Sequence, residues 1–358
     1  MKKKTLSMLL ATSLLAMSVL TGCGSSTAAE DTAAEDTAAD TAEAAEESSE
    51  ENTEAEDTAD TQSDEKFTVG ICQLVQHTAL DAATQGFEDA LTERYGDNVT
   101  IDYQNAQGES TTCATIVTGF VNNDYDLILA NATAALQAAA AATTDIPILG
   151  TSITDYGTAL NMTDFSGTTG INVSGTSDLA PLDQQEDMIL ELVPDVQRVA
   201  ILYCSAEANS KYQAEQVEKY LEEDGVDYQE YTFSDSNDLQ SVVTAAVADC
   251  DAMYIPTDNT AASNMTIVSN VAEPAGIPII CGEENMTRSG GLATLSISYY
   301  DIGYAAGEQA IRILSDGADV STMEIGYAPN VTKEYNADYA AAIGITIPDG
   351  YVEIPAAE

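Results

Sequence analysis

Apolar residues between positions 67 and 149 alternate between two patterns. Short β-rich runs, of which Phe67–Ile71 is the first, are followed by longer stretches with helical spacing, which place Leu80, Ala83 and Phe87 on one face. These patterns predict strands at 67–71, 99–103, 127–130 and 146–149, and helices at 79–94, 110–122 and 134–142. Strands that alternate with helices in this way indicate a parallel sheet with crossover helices.

The same alternation starts again in the second half of the chain. It predicts strands at 198–203, 227–233, 252–255, 277–281 and 291–296, helices at 182–193, 209–223, 237–247, 261–274 and 302–315, and a last strand at 323–327. Two α/β halves in succession predict two Rossmann-like lobes. In sheets of this kind ligands bind in the loops beyond the carboxyl ends of the strands.

The first 23 residues have the layout of an export signal. Lysines at positions 2–4 precede the apolar stretch Leu6–Leu20, which is short for a membrane span and typical of a secretory signal. The stretch ends in Leu20-Thr21-Gly22-Cys23, which resembles the lipobox of bacterial lipoproteins. The resemblance implies a signal peptide over 1–22, a lipid on Cys23 and an extracytoplasmic, membrane-anchored protein.

A strong excess of acidic residues narrows the possible partners. The chain has 60 acidic and 11 basic side chains, for a formal net charge of −49, which excludes nucleic-acid binding because phosphates would be repelled. Residues 24–65 contain no basic, aromatic or branched aliphatic residue. Such a segment cannot bury enough apolar surface to fold, so we expect 23–65 to be the lipidated cysteine and a disordered acidic linker.

Polar side chains gather in the loops that follow the predicted strands. The candidate ligand-binding residues are Gln73, His77, Thr133, Thr151, Ser152, Thr176, Ser177, Asp178, Asn209, Asp258, Asn259, Glu283 and Asp301. The first half contributes mainly neutral donors near helix starts, which suit a carboxylate, and the second half adds acidic groups, which suit an ammonium. Together they fit a zwitterion such as an amino acid. The alternative is that each of these residues simply caps a helix.

Catalytic motifs are missing from the sequence. There is one histidine, His77, and neither a Gly-x-Ser-x-Gly elbow nor a Walker loop occurs. We therefore expect a protein that is not an enzyme and needs no metal or cofactor.

Several runs of residues resemble one known family, the tryptophan/tyrosine-type ABC transporter substrate-binding proteins. The similarity covers nearly all of 66–350 and keeps its order along the chain. The runs are Val69–Gln73, His77–Asp81, Gly86-Phe87, Asp145–Ser152, Gly175–Asp178, Glu207–Ser210, Tyr254–Thr260 and Gly344–Pro348.

The resemblance implies a type I periplasmic-binding-protein fold, with three crossover segments and a hinge that closes on ligand. On that plan the lobes are 66–173 plus 299–318 and 177–296 plus 322–350. It also implies a monomer that delivers an aromatic amino acid to an ABC permease. The carboxylate would be held by Thr133, Thr151 and Ser152, and the ammonium by Asp258 and Glu283. The candidates for stacking on the ligand are Tyr156, Tyr212, Tyr299 and Tyr300.

Two other functions remain open for this fold. A sugar or nucleoside binder would use aromatic platforms and neutral polar contacts, and a sensory module would present its closed form to a receptor.

Overall fold

Two sheets organise residues 65–355, the part of the chain that the computed structural model describes. The strands are β1 Phe67–Gln73, β2 Val99–Asn105, β3 Leu127–Asn131, β4 Ile148–Ile153, β5 Val173–Ser177, β6 Arg198–Cys204, β7 Asp227–Phe233, β8 Ala252–Ile255, β9 Ile279–Cys281, β10 Ala293–Ser296, β11 Gly326–Tyr327, β12 Thr332–Tyr335 and β13 Val352–Glu353. The first sheet has the order β11-β5-β4-β3-β1-β2, and the second β13-β12-β10-β9-β8-β6-β7.

Helices cover these sheets. They are α1 Thr78–Tyr95, α2 Ser110–Asn122, α3 Thr133–Ala142, α4 Tyr156–Ala159, α5 Leu182–Leu192, α6 Ala208–Asp224, α7 Ser236–Asp249, α8 Asn259–Ser263, α9 Met265–Ala275, α10 Glu284–Gly290, α11 Tyr299–Asp316 and α12 Ala337–Ile343. Short 3₁₀ turns lie at Gly96–Asn98 and Val320–Thr322. None of the helices in this described region is both long and apolar enough to cross a bilayer.

The central strands are buried on both faces because helices pack on each side of a parallel sheet. In the first lobe, Cys72 and Ile128 point into one apolar cluster, and their neighbours Ile71 and Leu129 point into another. This alternation along each strand gives the sheet two cores. All pairings are parallel except that of β10 with β12. The topology confirms the predicted pair of Rossmann-like lobes.

The chain passes between the sheets three times. The crossings connect β5 to α5, β10 to α11, and β11 to β12. Consequently Gly326–Tyr327 pairs with β5 in the first sheet, whereas the plan implied by the family resemblance has 322–350 in the second lobe. The predicted signal peptide, Cys23 and the linker up to residue 64 lie outside the described residues.

Several elements differ from the prediction. The predicted helix at 261–274 is two helices, α8 and α9, which meet at Asn264. Strand β5 has the sequence Val-Ser-Gly-Thr-Ser and shows little apolar periodicity, so no strand is predicted there. The helices α4, α10 and α12 and the strands β12 and β13 were also not predicted, because each is short and polar or lies near the chain end.

Helices α1 and α11 pack closely along faces of small residues. A Cβ on Gly303 would overlap the carbonyl oxygen of Ala83, and one on Gly86 would overlap that of Tyr300. The backbones can approach this closely only because the glycines carry no side chain. The contact fixes α1, whose first turn borders the loops at the end of β1.

We expect Gly303→Ala to destabilise the protein by about 1–3 kcal/mol, because the added methyl overpacks this contact. The matched control is Gly119→Ala in α2, where a Cβ would meet no atom within 4 Å. There the substitution should stabilise the helix by about 0.5–1 kcal/mol. Urea unfolding of both variants tests the expectation, and a neutral Gly303→Ala would contradict it.

Candidate functional site

A pocket lies where the carboxyl ends of the two sheets face each other. It is lined by His77, Leu80, Ser152, Asp178, Asn209, Thr257, Asp258, Asn259, Ala262, Glu283, Met286 and Tyr299. The segments after β1 and β5 and the end of β4 contribute from the first sheet, and the segments after β6, β8 and β9 contribute from the second. This position is the one expected for a ligand site in paired α/β lobes.

Two buried carboxylates of the second lobe line the pocket and cap helices at the same time. Asp258 Oδ1 accepts from the backbone N–H of Ala261 (2.8 Å), and its Oδ2 accepts from that of Cys204 (2.7 Å). Glu283 Oε1 accepts from the backbone N–H of Met286 at 2.6 Å. Both sit at helix N-termini, where backbone donors and the helix dipole favour negative charge.

Burial opposes the ionised form of these groups. It raises the pKa of Asp258 well above the ordinary value, and the nearby charge of Glu207 adds to this effect. Burial also raises the pKa of Glu283 to about 7, although backbone N–H groups favour the carboxylate. Near neutral pH, Glu283 can therefore gain or lose a proton in response to its surroundings.

A third buried carboxylate comes from the first lobe. Asp178 directly follows β5 and accepts hydrogen bonds from Thr154 Oγ1 (3.1 Å) and from the phenol of Tyr299 (3.0 Å). Burial raises the pKa of Asp178 as well. The lining residues of this pocket, all within 65–355, include three carboxylates and neither lysine nor arginine.

Ser152 has an unusual backbone conformation. Its φ is +56°, and the register between β4 and β5 shifts between Gly150 and Ile153. This irregularity turns Ser152 toward the pocket, where its buried Oγ has no hydrogen-bond partner among the described protein atoms. A left-handed serine at a β-irregularity is a strained feature of the kind that clusters at binding sites.

His77 and Asn259 meet across the cleft. His77 Nε2 lies 3.2 Å from Asn259 Oδ1, and Asn259 in turn is held by Glu207. Thr154 Oγ1 also lies 3.5 Å from Thr257 Oγ1 in the opposite lobe. These contacts show that the two lobes are closed on each other around the pocket.

The structure brings seven of the predicted residues together. They are His77, Ser152, Asp178, Asn209, Asp258, Asn259 and Glu283.

Four other predicted residues are buried within the first lobe and bond internally. Gln73 Nε2 donates to Asp81 Oδ1 at 2.7 Å, and Thr176 Oγ1 lies 3.1 Å from Thr151 Oγ1. Ser177 Oγ donates to a backbone carbonyl at 3.0 Å. These side chains support the loops and do not line the pocket.

Thr133 and Asp301 lie elsewhere. Thr133 begins α3 and borders a separate groove between the lobes, and Asp301 is exposed in the first turn of α11. Of the four tyrosines considered for stacking, Tyr299 lines the pocket. Tyr156 is buried and donates to the carbonyl of Thr176.

The apolar wall of the pocket was not predicted. Leu80, Ala262 and Met286 belong to α1, α8 and α10; in sequence the first two look like ordinary core positions on helices, and Met286 lies in a segment for which no helix is predicted. Thr257 also lines the pocket; its position directly after β8 was the available signal.

The raised pKa of Glu283 makes stability depend on pH. Because the folded-state pKa lies above the unfolded value, its stabilising contribution is complete below about pH 4 and is lost as pH rises through 7. We expect Glu283→Gln to remove a decline on the order of 3 kcal/mol between pH 4 and 8.

Urea unfolding across this pH range would measure the difference. The control is Glu109→Gln, an exposed glutamate whose side chain caps no helix. It should keep the wild-type profile, whereas parallel profiles for wild type and Glu283→Gln would contradict the expectation.

Comparisons with known proteins agree with this geometry. A family model described as ABC transporter substrate binding protein matches residues 68–357. The chain is 36% identical over 326 residues to a tyrosine-binding protein of Clostridioides difficile (strain R20291), covering 90% of this chain and 87% of that protein.

Solved structures show the same relationship. The ABC domain from Streptococcus pneumoniae in complex with L-Trp superposes with a TM-score of 0.77 at 33% identity, covering 81% of this chain and 100% of that one. The ligand-free, open structure of a substrate-binding protein with adhesive properties from Clostridium difficile gives 0.63 at 35% identity, covering 81% and 100%. At similar identity, the chain thus superposes better on the L-Trp complex than on the open structure.

A solute-binding protein from Clostridium phytofermentans with bound L-rhamnose, at 12% identity and a TM-score of 0.56, shares the fold alone. The family model spans nearly all of the described region, and the relative at 36% identity covers most of the chain. The chain therefore belongs to the ABC transporter substrate-binding proteins, extracytoplasmic proteins that bind a small molecule and deliver it to an ABC permease.

Proposed function

We propose that this protein captures an aromatic amino acid in the pocket between its lobes and delivers it for import. The observation that carries the proposal is the set of three buried carboxylates, Asp178, Asp258 and Glu283, around a pocket whose lining has neither lysine nor arginine. A buried carboxylate without a cation is unfavourable, so the pocket favours a ligand that brings its own positive charge. An amino acid supplies an ammonium.

The remaining lining suits the other parts of such a ligand. The unpartnered hydroxyl of Ser152 can donate to the ligand carboxylate. A protonated Glu283 can donate as well, so the pocket need not hold three negative charges beside that carboxylate. Leu80, Ala262 and Met286 provide an apolar surface for a side chain. The relatives described as tyrosine-binding and as an L-Trp complex support an aromatic one.

We also propose that the protein works as a monomer tethered through a lipid on Cys23. The Leu20-Thr21-Gly22-Cys23 run supports the tether, since the cysteine follows a secretory-type segment directly. The anchor would keep the binding protein beside its permease.

Binding can be measured without a reporter group on the protein. The chain contains no tryptophan, so indole fluorescence in a mixture with L-Trp comes from the ligand alone. We expect L-Trp and L-Tyr to bind, with calorimetry as an independent measurement. Tight binding of a sugar and of no amino acid would contradict the proposal.

Asp258→Ala should weaken amino-acid binding by about 2–5 kcal/mol, because it removes a buried partner of the ligand ammonium. Asp319→Ala is the control, since Asp319 also caps a helical turn but is exposed and far from the pocket lining. Calorimetry should show little change for this control. An unchanged affinity in Asp258→Ala would remove this carboxylate from the ligand site.

Cys23→Ser should abolish incorporation of labelled fatty acid and release the protein from the membrane fraction. The control Ser25→Ala leaves the cysteine intact and should stay membrane-bound. A wild-type protein that takes up no label would rule out the anchor.

A further inference from the structure

His77 is the single histidine of the chain and stands where the two lobes meet. It precedes α1 as the N-cap residue, yet its side chain makes no capping hydrogen bond. The ring instead reaches across the cleft to Asn259, at 3.2 Å from Nε2 to Oδ1. The His77 side chain therefore contacts the opposite lobe and does not cap α1.

Hydrogen bonds to Glu207 fix the orientation of the Asn259 side-chain amide. Glu207 Oε2 accepts from Asn259 Nδ2 at 2.7 Å and from the Asn259 backbone N–H at 2.9 Å. A carboxylate can only accept, so the amide nitrogen faces Glu207 and the amide oxygen faces His77. The hydrogen in the contact between the two lobes must then be on His77 Nε2.

The second ring nitrogen is left as an acceptor. Burial lowers the pKa of His77, against the opposing effects of its bond to Asn259 and the charges of Glu207 and Asp81. A neutral imidazole with its hydrogen on Nε2 has a bare lone pair on Nδ1. This Nδ1 is buried and has no partner among the described protein atoms, on a residue that lines the pocket.

Apolar side chains line the same pocket as His77. Leu80 lies in the first turn of α1, directly after the N-cap residue His77, and Ala262 lies three residues after Asn259 on the same face of α8. Both line the pocket, with Met286 from α10. His77 thus shares the pocket with the apolar residues that suit the side chain of the ligand, and the carboxylates that suit its ammonium are separate groups.

We propose that His77 Nδ1 accepts a hydrogen bond from the ligand side chain, so that the pocket selects aromatic amino acids carrying a ring N–H or O–H. This inference rests on the proposed function and narrows its substrate class. L-Tyr and L-Trp have such a donor, and L-Phe does not. A ligand without the donor leaves a buried acceptor unpaired, which is how polar sites reject apolar analogues.

The His77 ring also connects the two lobes, so the hydrogen-bond donor of the ligand affects closure of the cleft. A ligand hydrogen bond to Nδ1 polarises the imidazole and strengthens the Nε2–H donor to Asn259. Selection of the side chain and closure of the cleft are thus coupled through one residue.

The test compares L-Tyr with 4-fluoro-L-phenylalanine, which fills a similar volume without a donor. Calorimetry on the full chain should show L-Tyr binding at least about tenfold more tightly to wild type. In His77→Leu this ratio should fall to about one. If His77 only held the lobes together, both ligands would weaken equally and the ratio would persist, which would overturn the proposal.

Thr154→Val serves as the matched control because it removes a different contact across the cleft. It should weaken both ligands and keep their ratio. Equal wild-type affinities for the two ligands would overturn this inference and leave the proposed function standing, whereas no binding of any amino acid would overturn the proposed function.

A spectroscopic measurement does not depend on the variants. Because the chain has one histidine, ring-¹⁵N labelling gives the signals of His77 alone. At neutral pH we expect hydrogen on Nε2 and an unprotonated Nδ1, whose resonance shifts when L-Tyr binds but not with the fluorinated analogue. Hydrogen found on Nδ1, as the other tautomer or an imidazolium, would overturn the proposal.

Discussion

The carboxylates of Asp258 and Glu283 are held in the pocket by backbone N–H groups and by no cation of the lining. The backbone N–H groups hold the acidic side chains at the helix starts, but no cationic side chain of the lining neutralises their negative charge. On the proposed function, a ligand ammonium would supply the positive charge, and Asp178 of the first lobe faces the same pocket. On that proposal the cap and the ligand contact, which the sequence presents as alternatives, are two roles of one side chain.

Most of the fold follows from the sequence because strands and helices leave distinct apolar periodicities. Strand β7, Asp227–Phe233, and helix α2, Ser110–Asn122, have the predicted bounds. The failures have physical causes. Strand β11 has two residues, and its choice of the first sheet depends on a crossing that no local pattern encodes. Helix α10 is capped by Glu283, but its polar sequence resembles a loop.

The site was harder to predict than the fold, because a ligand contact depends on which way a side chain points. Thr151 and Ser152 are neighbours with similar hydroxyls, yet Thr151 bonds within its lobe and Ser152 faces the pocket. A positive φ at Ser152 makes the difference, and nothing in the local sequence indicates it. The position of a loop after a strand was therefore a good guide to the region and a weaker guide to the individual residue.

The hydrogen bond between Tyr299 and Asp178 joins two of the segments that connect the lobes. Asp178 opens the crossing to α5, and Tyr299 ends the crossing from β10. The pocket therefore lies beside the segments that connect the two lobes. A small rotation of one lobe relative to the other about these segments produces a larger displacement at the outer rims of the lobes, because the rims are farther from the rotation axis. A permease that contacts those rims would register the shape of the bound molecule without touching it.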